Sequence, residues 1–129
     1  MRSLDTNVLA RFILKDDAQQ TPLAEIALQQ PCFIADTVFL ELAWLLSWIF
    51  GMDRPDLGLT LLDLVALPEV TVSDSSGLIW AIERFLAGAD LADMIHIIGS
   101  SRADSFATFE RKLDRLAGPS APLPIERLT

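Results

Sequence analysis

The distribution of apolar and polar residues predicts short strands that alternate with helices along the chain. The predicted strands are residues 1–4, 32–35, 69–73 and 105–109, with residues 122–128 as an edge strand, where prolines are tolerated. The predicted helices are residues 7–14, 22–30, 37–50, 56–66, 73–88, 89–103 and 110–116, and Asp36 or Thr37 is the predicted cap of the helix that ends at residue 50. This alternation favours an α/β fold of three layers, in which helices flank a short parallel sheet of four to five strands.

The size and apolar content of the chain fit one domain without a membrane segment. At 129 residues and 51% hydrophobic, it is predicted to form a single domain over residues 1–129. The most apolar stretch, residues 37–50, is shorter than the roughly 20 residues of a membrane helix, so it is expected to be a core or interface helix. No secretory signal opens the sequence, and the single Cys32 allows neither an internal disulfide nor a zinc site with His96. We therefore expect a cytoplasmic protein with no membrane partner and with Cys32 as a small buried hydrophobe.

The charge of the chain limits how it could bind a nucleic acid. Eighteen acidic residues against ten basic ones give a formal net charge of -8, which opposes non-specific attraction to RNA or DNA. Divalent cations would have to supply positive charge if a nucleic acid is the substrate. Arg11, Arg102 and Arg111 could steer phosphates, but a solvated surface position is the more ordinary role of each.

Five acidic residues are predicted to gather at one end of the sheet, because ligands of such folds bind beyond the carboxyl ends of the strands. Asp5 follows the first predicted strand, and Glu110 follows the fourth. Asp90 and Asp93 lie three residues apart in the first turn of a helix, and so on one face. Glu41 lies in an apolar helix with no lysine or arginine nearby in the sequence, so a metal or water site fits it better than a distant arginine.

Each of these acids also has an ordinary structural interpretation, which for Glu41 is pairing with a distant arginine. Asp5 would serve equally well as the cap of a helix that begins near Asn7. Asp90 with Asp93 resembles a helix cap followed by an acid that suits the helix dipole. Glu110 would be unremarkable as the first residue of a helix.

A cation would relieve the repulsion that a cluster of carboxylates creates. Closely packed like charges raise one another's pKa and cost stability unless something positive lies between them. Mg²⁺ and Mn²⁺ prefer oxygen ligands, and the chain has no Cys/His set for a softer metal. We expect one or two Mg²⁺ or Mn²⁺ ions, held by Asp5, Glu41, Asp90 and Asp93. Glu110 would contribute to this site, and Thr6 or Asn7 would hydrogen-bond the acids.

Two tryptophans and one histidine are interpreted as structural. Trp44 and Trp48 lie four residues apart, and core packing is favoured over a platform for stacking bases. A partner surface is the second interpretation of the tryptophans. His96 is placed outside the site, because a single histidine on a helix is more often structural than catalytic.

Four segments taken in order resemble a known family. LDTNVLARFILKDD, FLELAWLL, GADLADMIHIIGSS and FATFERKL resemble the successive motifs of PIN-domain ribonucleases, and most closely of VapC toxins from bacterial VapBC toxin-antitoxin pairs. The resemblance spans nearly the whole chain. Position by position, the acids of the family's site correspond to Asp5, Glu41 and Asp93, with Asp90 as the further acid three residues earlier.

The fourth motif departs from the family pattern. The family usually has an aspartate after the Thr-Phe pair that ends the fourth strand, whereas Thr108 and Phe109 precede Glu110 here. The longer side chain keeps the charge but moves the carboxylate by about one carbon–carbon bond. Thr108 is assigned a supporting role, and a weak or selective nuclease is one expected consequence of Glu110.

The resemblance implies a fold, an activity and partners. The fold would be the PIN-like, Rossmann-like fold, and the activity that of a Mg²⁺- or Mn²⁺-dependent endoribonuclease that hydrolyses RNA phosphodiester bonds. The partners would be the RNA substrate, a cognate VapB-like antitoxin and a second copy in a homodimer. Two alternatives remain: a catalytically weak PIN-like module that binds RNA or protein, and a haloacid-dehalogenase-type phosphatase. The phosphatase is disfavoured because its second aspartate would stand where the chain has Asn7.

Overall fold

The computed structural model describes residues 1–129 and confirms an α/β arrangement. Its strands are β1 Arg2–Ser3, β2 Cys32–Phe33, β3 Val70–Thr71, β4 Phe106–Thr108 and β5 Ile125–Arg127. Its helices are α1 Thr6–Leu14, α2 Gln20–Leu28, α3 Asp36–Trp44, α4 Arg54–Ala66, α5 Ser75–Leu86, α6 Leu91–Ile98 and α7 Leu113–Ala117. A π-helical turn, Leu45–Ile49, continues α3. Every predicted strand and helix is present, although the strands are shorter than expected.

The strands form two parallel sheets. One sheet has the order β1-β2-β3, with Ser3 paired to Phe33 and Phe33 paired to Thr71. The other consists of β4 and β5, which confirms the strand predicted near the carboxyl terminus. The parallel pairing is as predicted, whereas one continuous sheet of four to five strands is not confirmed.

The chain divides into two compact units, Met1–Ser75 and Ser76–Thr129. The first unit contains the three-stranded sheet with α1 to α4, and the second contains the two-stranded sheet with α6 and α7. The single domain predicted over residues 1–129 stays a prediction. No helix has the length and apolar content that crossing a bilayer requires.

Helix α3 is held by an apolar face that continues into the π-helical turn. Phe39, Leu42 and Leu46 are fully buried and recur at helical spacing. A π turn contains one residue more than an α turn, so it rotates the residues that follow it around the helix axis. Ile49 and Phe50, which would extend the buried face at α-helical spacing, are instead exposed.

Two predictions about the α3 region are wrong. The cap assigned to Asp36 or Thr37 falls on Ala35, and Asp36 is the first residue of the helix. Trp44 and Trp48 are 55% and 76% exposed, so they do not pack in the core. Their four-residue spacing places them on one side of the helix, opposite to the face of Phe39, and the pattern of apolar residues alone could not distinguish the two faces because both are apolar.

The second unit is built on the buried faces of α5 and α6. Leu78, Ala81 and Ile82 of α5 are fully buried, as are Met94 and Ile97 of α6. Cys32 of the first unit is also fully buried, as predicted, and burial raises the pKa of its thiol. The buried face of α6 fixes the helix whose first turn carries Asp90 and Asp93.

Candidate functional site

Three aspartates follow the three neighbouring strands of the larger sheet. Asp5 comes two residues after β1, Asp36 three residues after β2, and Asp74 three residues after β3. Because the strands are parallel and adjacent, their carboxyl ends lie at one edge of the sheet. Sequence reasoning assigned Asp36 only to a cap and passed over Asp74, although the criterion that selected Asp5 applies to both.

Asp5 is the N-cap of α1. Its backbone is extended, with φ -78° and ψ 157°, and its Oδ1 accepts a hydrogen bond of 2.8 Å from the backbone N–H of Thr6. The capping interpretation of Asp5 is therefore confirmed, and α1 begins one residue earlier than predicted. A carboxylate has about four lone-pair positions, so one capping bond leaves Asp5 able to bind a cation as well.

Thr6 joins the start of α1 to Glu41 of α3. The Thr6 hydroxyl, which is buried, donates a hydrogen bond to Oε1 of Glu41. Glu41 itself is exposed, so its isolation in an apolar stretch of sequence does not mean burial in an apolar environment. Thr6 therefore donates hydrogen bonds to two predicted site residues, through its backbone N–H to Asp5 and through its hydroxyl to Glu41. The second of these is the hydrogen bond expected of Thr6.

Removing the Thr6 hydroxyl should weaken this connection. We expect Thr6→Val, which keeps the branched shape, to lower the free energy of unfolding by about 1 kcal/mol, because a hydrogen bond to a charged group is lost. Thr6→Ser, which keeps the hydroxyl, should retain most of the free energy of unfolding that Thr6→Val loses. Thr37→Val, at an exposed threonine of α3, should change stability by less than about 0.5 kcal/mol in the same denaturant titration. Equal effects at Thr6 and Thr37 would contradict a structural role for the contact.

Asp90 and Asp93 form the first turn of α6. Asp90 is the N-cap, and its Oδ1 accepts a hydrogen bond of 3.1 Å from the backbone N–H of Asp93. This confirms the capping interpretation of Asp90. The pKa of Asp93 is raised, chiefly by burial and then by the negative charge of Asp90; His96 opposes the rise and Glu110 adds to it. The negative charges of Asp90 and Glu110 therefore both act on the carboxyl group of Asp93.

Glu110 lies in the connection after β4, and not at the start of a helix. Helix α7 begins only at Leu113, so the prediction of a helix from residue 110 is wrong at its first turn. The backbone N–H of Glu110 donates to Oγ1 of Thr108 at 2.9 Å. Thr108 thus supports the backbone of Glu110, and its hydroxyl shapes the turn that presents this exposed carboxylate.

Asp36 has a carboxylate oxygen with no partner. Its Oδ1 is buried and accepts no hydrogen bond. Burial raises the pKa of Asp36, and the negative charge of Asp74 raises it further. A buried polar atom without a partner costs free energy, so a cation or a donor at this position would stabilise the protein.

The predicted acids fall into two sets, one in each unit. The first is Asp5 with Glu41, and the second is Asp90, Asp93 and Glu110. No group of three or more His, Cys, Asp or Glu side chains is arranged to hold a metal ion. Mg²⁺ commonly uses one or two carboxylates with waters and substrate phosphates, so paired acids are chemically suited to it.

A cavity of about 480 Å³ adjoins Asp5. Its walls include Arg2 and Arg11, and Arg11 pairs with Asp16 at 3.0 Å on the surface. Of the arginines considered as phosphate contacts, Arg102 and Arg111 are exposed. Arg11 lines a cavity beside a predicted site residue, a placement that the sequence pattern did not indicate.

Comparison of the chain with protein-family models, with curated proteins and with solved structures finds no match. The resemblance of the four motifs stays a prediction.

Proposed function

We propose that this chain is a PIN-domain endoribonuclease of the VapC type, which hydrolyses phosphodiester bonds of RNA with the help of Mg²⁺ or Mn²⁺. The proposal includes the PIN-like fold with one short parallel sheet and action in the cytoplasm. It rests on the order of the four motifs and on one structural observation above all. The hydroxyl of Thr6, in the first motif, donates a hydrogen bond to Glu41 of the second motif, 35 positions away, so residues of two motifs are in contact.

The roles of the chain's own groups follow from their contacts. Asp5 and Glu41 from the first set, and Asp90 and Asp93 from the second, would hold the ions, with Glu110 contributing. A bound divalent ion would supply positive charge beside the attacked phosphate and favour deprotonation of a water. Thr6 orients Glu41, and the Asp93 N–H orients Asp90. Bound ions would offset part of the negative charge of the acids and place positive charge next to the phosphate, so a phosphate could approach although the chain as a whole is acidic.

Metal binding should be visible as a stabilisation that depends on pH. Mn²⁺ at about 100 times its dissociation constant would raise the free energy of unfolding by about 2.7 kcal/mol. Metal binds the ionised carboxylate, and the pKa of Asp93 is raised, so the stabilisation should begin to disappear at a pH above that expected for an ordinary aspartate. Without metal the sign is opposite: protonation of Asp93 favours the folded state, so lowering the pH through its pKa should stabilise the protein.

Thermal denaturation with and without Mn²⁺ across the acidic range measures both effects. Asp93→Asn should abolish most of the Mn²⁺ stabilisation. Asp104→Asn, at an exposed aspartate of the same unit, should leave it intact. A Mn²⁺ effect that is the same in both variants would contradict the assignment of Asp93 as a ligand.

The direct test of function is incubation of the purified protein, free of any antitoxin, with structured RNAs and Mn²⁺. The expected result is endonucleolytic cleavage that EDTA abolishes. RNA binding without any cleavage would instead support the alternative of a catalytically weak PIN-like module. Absence of both binding and cleavage would remove the ribonuclease proposal.

Glu110→Asp tests the departure of the fourth motif from the family pattern. If Glu110 contributes to the site, the shorter acid should preserve the cleavage rate or raise it, because it restores the family's usual residue. Glu110→Gln should lower the rate by about tenfold through the loss of charge. Rates measured on one RNA in Mn²⁺ give the comparison. A fall with Glu110→Asp would mean that the longer side chain is adapted to this site, and equal rates in all three proteins would place Glu110 outside it.

The proposed partners besides RNA are a VapB-like antitoxin and a second copy of the chain. The support is an exposed apolar surface formed by Trp44, Trp48, Ile49 and Phe50. Aromatic side chains of this kind are enriched at protein interfaces. The net charge of -8 would favour a basic segment of an antitoxin. Co-purification with the product of a neighbouring short reading frame, and the mass of the isolated chain in solution, test the two partners separately.

A further inference from the structure

The cavity beside Asp5 differs in character from its surroundings. It lies within the first unit, and its volume of about 480 Å³ is within the range of about 300–1,000 Å³ typical of ligand pockets. One part of its wall is apolar and includes Val8, Leu23 and Ala24. Leu23 is 68% exposed, so its side chain is available to a ligand in the cavity.

Positive charge is concentrated at this cavity. Residues 1–75 contain eleven acidic residues and only four basic ones, yet two of those four, Arg2 and Arg11, line it. Arg2 donates through Nη2 to Oε1 of Gln30 at 2.7 Å, and Arg11 pairs with Asp16. These bonds are on the surface, where an ion pair contributes at most about 1 kcal/mol, so a phosphate can replace Asp16 at little cost.

The cavity also offers amide groups. Asn7, in the first turn of α1, and Gln20, at the start of α2, both line it. The Oε1 of Gln20 accepts from Nε of Arg11 at 2.9 Å, so the amide nitrogen of Gln20 is its remaining donor. Side-chain amides can both donate to and accept from the edge of a nucleobase.

We propose that this cavity is a subsite for one unpaired nucleotide of the RNA substrate, next to the phosphate that is attacked. The inference rests on the proposed ribonuclease function, because Asp5 both lines the cavity and is a proposed metal ligand of the nuclease. Arg2 and Arg11 contact the backbone phosphate, and the apolar wall contacts the face of the base. Asn7 and Gln20 hydrogen-bond with the base edge and set a sequence preference at that position.

The shape and composition favour a single unpaired nucleotide over a duplex. A base can enter a cavity with one apolar wall only when it is unstacked and unpaired, as in loops and single strands. Recognition of a duplex would rely on phosphate and ribose contacts along a broad surface. Residues 1–75 contain eleven acidic residues against four basic ones, a balance that is unsuited to such contacts.

Binding is tested separately from cleavage. A labelled, short, single-stranded RNA of random sequence is titrated in Ca²⁺ by fluorescence anisotropy, at salt concentrations from about 50 to 200 mM. Arg2→Gln and Arg11→Gln should each raise Kd about 3- to 10-fold and reduce the salt slope by about one. Arg115→Gln, at an exposed arginine of α7, should bind like the wild type. Asp16→Asn breaks the same ion pair as Arg11→Gln but should not weaken RNA binding.

Base recognition is tested by cleavage of a random RNA pool in Mn²⁺, with sequencing of the products. Asn7→Ala and Gln20→Ala should reduce base discrimination by about tenfold at one position beside the cut and leave the other positions unchanged. The matched duplex should bind more weakly than the single strand.

The outcomes distinguish the subsite from the function on which it rests. RNA binding that depends on Arg2 and Arg11, without cleavage by the wild type, would remove the ribonuclease proposal and keep the subsite. Cleavage that depends on Asp5, with RNA binding unchanged by Arg2→Gln and Arg11→Gln, would overturn the subsite alone. Equal binding of duplex and single strand, or no binding of RNA by the wild type, would also overturn the subsite.

Discussion

Asp5→Asn should lower RNA cleavage by about 10²- to 10³-fold while leaving the protein folded. Asparagine is as good an N-cap as aspartate, so its side-chain oxygen can still accept the hydrogen bond from Thr6 N–H. An amide lacks the negative charge that a hard cation requires, and loss of about 3–4 kcal/mol of transition-state stabilisation corresponds to this decrease in rate. Initial rates on one RNA in Mn²⁺, with melting temperatures of both proteins, measure the effect.

Asp53→Asn is the matched control. Asp53 is also an N-cap in the first unit, and its side chain accepts a hydrogen bond from Asp56 N–H at 2.9 Å at the start of α4. The same chemical change at a cap outside the site should leave cleavage within twofold of the wild type, since about 0.4 kcal/mol corresponds to a factor of two. Unchanged cleavage by Asp5→Asn would remove the metal-site hypothesis, and equal losses in the two variants would show that capping alone explains the effect.

Phe39→Ala should destabilise the protein by about 3–5 kcal/mol. Phe39 is completely buried on the face of α3 opposite to the exposed tryptophans, two residues before Glu41. Its removal eliminates apolar contacts and leaves a cavity in the first unit. Because a domain is stable by only about 5–15 kcal/mol, much of the folding free energy would be lost. Denaturant unfolding followed by circular dichroism gives the difference.

Phe109→Ala serves as its control, because Phe109 is 78% exposed in the connection after β4. We expect Phe109→Ala to change the free energy of unfolding by less than about 0.5 kcal/mol. A loss below about 1 kcal/mol for Phe39→Ala would contradict the assignment of α3 as the buried support of Glu41.

Local sequence signals predicted the elements of the fold well, because they depend on neighbouring residues. The starts of α1 and α6 follow from aspartates that cap helices, and both bonds are present. The end of the α3 region follows from Gly51, whose φ of +68° is a conformation that glycine adopts readily. The cap of α3 was missed because Ala35 contributes no side-chain signal, and the π-helical turn was missed because its residues are ordinary helix formers.

The candidate site was predicted less completely. The contact between Thr6 and Glu41 joins residues 35 positions apart, and no local rule selects that pair. Glu41 was selected because it lies in an apolar stretch of sequence, but its side chain is exposed and accepts a hydrogen bond from the Thr6 hydroxyl. Asp36 and Asp74 follow strands as Asp5 does, but the effect of Asp74 on the pKa of Asp36 depends on the pairing of β2 with β3.

The sequence by itself determined the succession of strands and helices, the acidic charge and the set of acids that follow strands or begin helices. These properties depend on residue type and spacing, which are fixed along the chain. Only the tertiary structure decided which apolar face of α3 is buried, which oxygen of Asp36 lacks a partner, and which arginines surround the cavity beside Asp5. Burial, electrostatic coupling and cavity formation depend on which distant segments pack together, and that packing is a property of the whole fold.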